Sequence, residues 1–119
     1  MVNKVILIGR LTADPEVRAT ASGTHVANLR IATNTYGGQQ EDGSPREHTD
    51  FHSLVVFGRN AEIAGEYLRK GRLVYAEGRS QTRSWETAEG QRRYTTEIVV
   101  DSFKMLEPKS GDSPGAPAV

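Results

Sequence analysis

Along most of this chain apolar residues recur at every second position, the period of a strand whose side chains alternate between two faces. NKVILIGRL, residues 3–11, is rich in β-branched and aliphatic residues and stops at Asp14-Pro15, a turn signal, so it predicts a first strand. Gly9 inside it points to a bulge or a close approach of another backbone. Residues 22–34 open on a Ser-Gly turn. Leu29, Ile31 and Thr33 then alternate with Asn28, Arg30 and Ala32, as in a half-buried second strand. Residues 50–58, DFHSLVVFG, predict a third, with Phe51, Ser53, Val55 and Phe57 on one face and His52, Leu54 and Val56 on the other. The period then changes once. In RNAEIAGEYLRKG, Ala61, Ala64 and Leu68 follow helical spacing and Ile63 and Tyr67 widen the stripe. Asn60 is a candidate cap, Arg69 and Lys70 suit the last turn, and Gly71 suits the end.

Alternation resumes in RLVYAEGRSQTRSW, where Val74, Ala76 and Gly78 oppose Tyr75, Glu77 and Arg79. After a turn through Gly90, YTTEIVVDSFKML forms a fifth strand with Ile98 and Val100 inward. Residues 36–49 are glycine-rich, polar and almost free of aliphatics, which predicts a long loop of the kind that is functional or disordered. From Pro108 the chain is Pro, Gly, Ser, Ala and charge and can bury nothing. The expected organisation is one folded domain, 1–107, and a disordered tail, 108–119. Five strands with one helix between the third and fourth describe an all-β, partly open barrel of the five-stranded OB type, whose open face binds oligonucleotides. Other small barrels share that element order.

Composition narrows the chemistry. A chain of 119 residues with 36% hydrophobic content supports one modest core. The absence of cysteine excludes disulfides, thiolate catalysis and sulfur-bound metals. No apolar run approaches the roughly 20 residues of a membrane span, and VILIG is too short for a signal peptide, so a soluble cytoplasmic protein is expected. His48 and His52 lie four apart on a strand, where that spacing does not converge, so no metal is expected. No Walker loop, nucleophile elbow or carboxylate pair appears, and neither an enzymatic activity nor a cofactor is expected.

Charge adds the most. Fifteen basic residues balance fifteen acidic ones, yet the signs are segregated. Arg69, Lys70, Arg72, Arg79, Arg83, Arg92 and Arg93 cluster in the stretch that holds Trp85, the only tryptophan. Such a stripe attracts an anion even on a neutral molecule. On a strand Arg79, Gln81, Arg83 and Trp85 form one row, and burying it would strand guanidinium groups. Flat rings among cations suit unpaired bases and phosphates. By spacing alone, however, Phe51 and Phe57 fit a core better than a stacking platform. Arg83 and Trp85 could equally form an internal cation–π pair, and Arg92 and Arg93 mere solvated surface.

VNKVILIGRLTADPEVR, VANLRIAT, FHSLVVFGRNAEIAGEYLRKG, VYAEGR and GQRRYTTEIVV, in this order, resemble segments of the bacterial replicative single-stranded DNA-binding proteins. The resemblance spans Val2 to Val100. It implies an OB fold, usually in a homotetramer, that binds and protects single-stranded DNA in replication, recombination and repair without reading sequence. By position it places Phe51, Phe57 and Trp85 at stacking sites and Tyr36 near a fourth. The basic stripe, not the resemblance, nominates Arg72, Arg79, Arg83 and Arg92 as phosphate partners. The resemblance also places His52 at a subunit contact, where assembly would respond to pH. Family members often carry tryptophan where this chain has Phe51. They usually end in an acidic, hydrophobic tip that recruits repair and replication enzymes; SGDSPGAPAV lacks one, which argues against that partnership. An adaptor built on the same barrel and an RNA-binding OB module are the competing readings.

Overall fold

A computed structural model describes residues 1–106; the expected tail and the end of the domain lie outside the described residues. The elements are β1 Val5–Leu11, β2 Glu16–Ala19, β3 His25–Gln39, β4 Pro45–Phe57, α1 Arg59–Tyr67, β5 Leu73–Glu86 and β6 Arg92–Met105. The sheet runs β1-β5-β6-β4-β3-β2, and a β1–β3 pairing at Arg10↔Ala32 and Leu11↔Ile31 closes five of these strands into a barrel. The remaining strand, β2, pairs along the outside edge of β3. All-β with one helix, and a five-stranded OB barrel, is therefore the architecture found.

The helix occupies the chain position that its spacing predicts. It follows β4 rather than a third strand only because β2 raises the count. Glu16–Ala19, which follows the Asp14-Pro15 turn signal, is not predicted as a strand; all four residues are exposed, so no alternation marks them.

The larger correction concerns residues 36–49. They are not a loop: β3 and β4 continue as paired strands through Tyr36↔Glu47 and Gln39↔Pro45, leaving only a short turn. There Gly43 N donates to the Gln40 carbonyl, and Asp42 Oδ1 accepts from both the backbone N and the hydroxyl of Ser44. These Ser44 bonds hold the Asp42 carboxyl below its ordinary range. A two-stranded arm exposed on both faces needs no hydrophobic alternation, so the pattern hid it.

The helix ends also differ. Gly58, not Asn60, caps the N-terminus, at φ 69°, a left-handed conformation that glycine adopts without strain. Its carbonyl accepts from Ala61 N and Glu62 N. At the other end α1 stops at Tyr67, because Leu68 is extended and fully buried. Arg69 then folds back, donating from Nη1 to the carbonyls of Gly65 and Leu68. The basic residue meets the helix end from outside the helix.

Ala61, Ala64 and Leu68 carry the helix into the barrel, where they meet Leu11, Ala27, Leu29, Ile31, Leu54, Val56, Val74, Ala76, Ile98 and Val100. The small helix residues permit close docking, and Leu68 fills the space beyond them. Tyr67, read as part of the apolar stripe, stands at the surface. Gly9 is a place of close approach: a Cβ there would run into the Ala32 carbonyl oxygen and the Ile31 side chain. Because the obstruction includes backbone, Gly9→Ala is expected to lower unfolding free energy by about 1–3 kcal/mol, seen as a reduced denaturant midpoint at unchanged slope.

Candidate nucleic-acid interface

Register decides which side chains share a wall, since directly paired residues project to the same side of a sheet. In β3–β4 the pairs Asn28↔Val55, Arg30↔Ser53, Ala32↔Phe51 and Tyr36↔Glu47 put Arg30, Tyr36, Phe51 and Phe57 on one side. Leu29, Ile31, Leu54 and Val56 take the other and form the core. The parallel pair Val55↔Val99 carries the outer side across to β6. From there Arg79↔Val99, Gln81↔Glu97, Arg83↔Thr95 and Trp85↔Arg93 carry it to β5. One outer wall thus presents Tyr36, Phe51, Phe57 and Trp85 with Arg30, Arg79, Arg83 and Arg93.

The rings are open. Relative exposure is 68% for Tyr36, 56% for Phe51, 49% for Phe57 and 47% for Trp85. Phe51 and Phe57 are therefore not core residues, contrary to what spacing favours. Exposing large rings sacrifices burial worth roughly 1.5–3 kcal/mol each, which a ligand can restore. Val55 and Val99, on the same wall, are buried. A shallow groove of about 360 Å³ lies between β2, β3, β4 and β6, and its lining includes Asn28, Arg30, Ser53, Val55, Thr95 and Glu97.

The arginines are arranged by acids and rings. Arg83 donates from Nε to Glu97 Oε1 at 2.8 Å and from Nη2 to Oε2 at 3.4 Å. Glu97 is itself largely buried, and Arg83 neutralises its carboxylate; Arg83 forms this ion pair rather than the alternative cation–π pair with Trp85. Arg79 Nη1 lies 3.9 Å from Asp101. The cation–π contact that does form sets Arg30 over Phe51, 5.4 Å from the ring centroid. Arg30 and Arg93 were not among the predicted site residues. Arg30 lies diagonally across from Phe51, and Arg93 is paired with Trp85; both relations need the register.

Two predicted residues fall elsewhere. Arg92 is on the reverse side of the β5–β6 hairpin, donating to Ser84 Oγ at 3.1 Å and 3.9 Å from Glu86. Arg72 precedes β5, at the opposite end of that strand from Trp85, where its carbonyl accepts from Leu11 N. His52 points to the barrel side, half-buried, with Nε2 bonded to Thr33 Oγ1 at 2.9 Å. Among the described residues no group of His, Cys, Asp or Glu could hold a metal.

A closed five-stranded barrel whose outer wall offers half-exposed rings and arginines, with a side groove, defines an oligonucleotide-binding barrel. The chain belongs to the single-strand binding protein family, which it matches over residues 2–106. It is also similar to the Plasmodium falciparum SSB in its complex with ssDNA: identity is 33% and the TM-score 0.81. The similarity covers 90% of this chain and 97% of that one.

Removing the guanidinium would leave Glu97 without its charged partner. Arg83→Ala is accordingly expected to lower stability by about 1–3 kcal/mol, measured by equilibrium denaturation, and the double change Arg83→Ala/Glu97→Gln to recover part of the loss.

Proposed function

We propose that this single-strand binding protein coats and protects single-stranded DNA in replication, recombination and repair, gripping it without reading sequence and without catalysis. The observation that carries the reading is the shared outer wall: four half-exposed rings and four arginines drawn from β3, β4, β5 and β6. Bases stack on Trp85, Phe51, Phe57 and Tyr36. Stacking takes any base, because every base offers a flat face, and contributes about 1–3 kcal/mol per base. Arg30, Arg79, Arg83 and Arg93 take phosphates, which identify the backbone and not the base. The cytoplasm is the proposed location; no helix among the described residues is long and apolar enough to cross a membrane.

The barrel is further proposed to assemble as a homotetramer. From Val5 to Gly9, β1 pairs with β5 on one edge, and its pairing with β3 begins only at Arg10. Ile6 and Ile8, on its outer face, are 56% and 54% exposed. An open strand edge beside exposed isoleucines suits addition of a second copy. His52 keeps its proposed place at a subunit contact, its ring oriented by Thr33.

Trp85→Ala is expected to weaken oligo(dT) binding by about 1–3 kcal/mol with the fold intact, and DNA to quench Trp85 emission in the parent protein. Unaltered emission at saturating oligo(dT) would remove the contact. Equal affinity for duplex would favour the adaptor reading, and tighter binding of a matched RNA would favour the RNA module. For assembly, Ile6→Glu should reduce the mass measured by light scattering; an unchanged mass would rule out this face as the contact.

A further inference from the structure

The antiparallel register between β1 and β5 would set Asn3 opposite Ser80, but the ladder stops at Val5↔Gly78. Beyond that pair β5 parts from β1, and from Ser80 to Glu86 its strand partner among the described residues is β6. Trp85 and Arg83 both lie on this two-stranded arm. Two strands alone are marginally stable in water, so the arm depends on what holds its root.

That root carries a side-chain substitute for the missing backbone pair. Ser80 N donates to Asn3 Oδ1 at 2.9 Å, and Asn3 Nδ2 donates to the Ser80 carbonyl at 2.8 Å. A carboxamide has the same donor and acceptor as a peptide group, so the Asn3 side chain continues the ladder where its backbone does not. The adjacent residue reinforces the attachment. Lys4 Nζ lies 2.7 Å from Glu77 Oε2, and Ser102 donates to Glu77 Oε1. The Lys4 bond, the Ser102 bond and the Lys4 charge hold the Glu77 carboxyl below its ordinary range.

We propose that Asn3 is a positioning residue for strand binding: its carboxamide clamps the root of the β5–β6 arm at Ser80 and so holds Trp85 and Arg83 in the orientation that meets DNA. This rests on the functional reading above. Asn3 touches no ligand. Its contribution is to order the arm beforehand, sparing the complex the entropy of fixing it on binding.

The test compares Asn3→Ala, which loses both bonds, with Asn3→Asp, which keeps an acceptor for Ser80 N but cannot donate to its carbonyl. In the free protein Asn3→Ala should lower Trp85 fluorescence anisotropy and speed amide exchange at Ser80, while exchange at Val56 in the core stays slow. Oligo(dT) affinity should fall about tenfold for Ala, the scale of two exposed hydrogen bonds, and less for Asp, with melting temperature little changed. Unchanged anisotropy and Ser80 exchange would overturn the proposal, as would full affinity despite a loosened arm. So would a fall in assembled mass, since Asn3 would then act through assembly. If the unmodified protein fails to bind oligo(dT), the functional reading fails instead, and the free-protein anisotropy and exchange still judge the clamp.

Discussion

The structure depends on one constraint: in a continuous hydrogen-bonded sheet the side-chain period of two cannot slip without turning every residue over. From Val26↔Phe57 to Tyr36↔Glu47 the β3–β4 ladder holds a single register. Along β5 the alternation likewise runs unbroken from Val74, inside, to Trp85, outside; the irregularity at Glu77/Gly78 is taken up by β6. Leu54 and Val56 can fill the barrel only if Phe51 and Phe57 stand outside it. A slip of one residue would drive the rings inward and place His52 in the wall. Core packing and the proposed binding surface are thus two sides of one register, and the energy that buries the aliphatics also exposes the rings.

The electrostatics follow from the same wall. The chain is neutral overall, and its acids are not all remote: Glu97 meets Arg83, Asp101 meets Arg79, and Glu86 approaches Arg92. Such pairing orients the guanidinium groups but mutes their field. Arg30 is handled differently, lying over Phe51, where it extends a flat surface. A surface of this kind leans on stacking for grip and on phosphates for alignment. That balance suits a protein that must accept any base and let go of it.

Two hairpin arms extend the wall past the closed part of the barrel, and side-chain hydrogen bonds tie the tip of each. The β3–β4 arm is tied at its tip, by the Asp42–Ser44 turn. The β5–β6 arm is tied at its tip by the Thr87 hydroxyl, which accepts from Gln91 N, and also at its root, by the Asn3 carboxamide and the Lys4–Glu77 pair. Both lie where hydrophobic burial no longer contributes, so local hydrogen bonds take over.

Much of this was legible in the chain. Alternation located the strands that border the core, helical spacing located α1 and its buried alanines, and parity put Arg79, Arg83 and Trp85 in one row. Those signals come from neighbours along the backbone, and burial imprints them directly on residue choice. The missed elements carry no such imprint: the strand residues of β2 and of the outer half of the β3–β4 arm all stand at the surface, so their strands look like polar loop. Gly58 was overlooked because a left-handed cap needs no distinctive side chain. The partners of the rings needed more still. That Arg93 rather than Arg92 faces Trp85, that Arg30 covers Phe51, and that Glu97 claims Arg83 are facts of cross-strand register. Register is set by how separate strands meet around a common core. Sequence by itself determined which residues alternate; only the closed sheet decided which of them are neighbours, because hydrogen bonds between strands are long-range in the chain and leave no local trace.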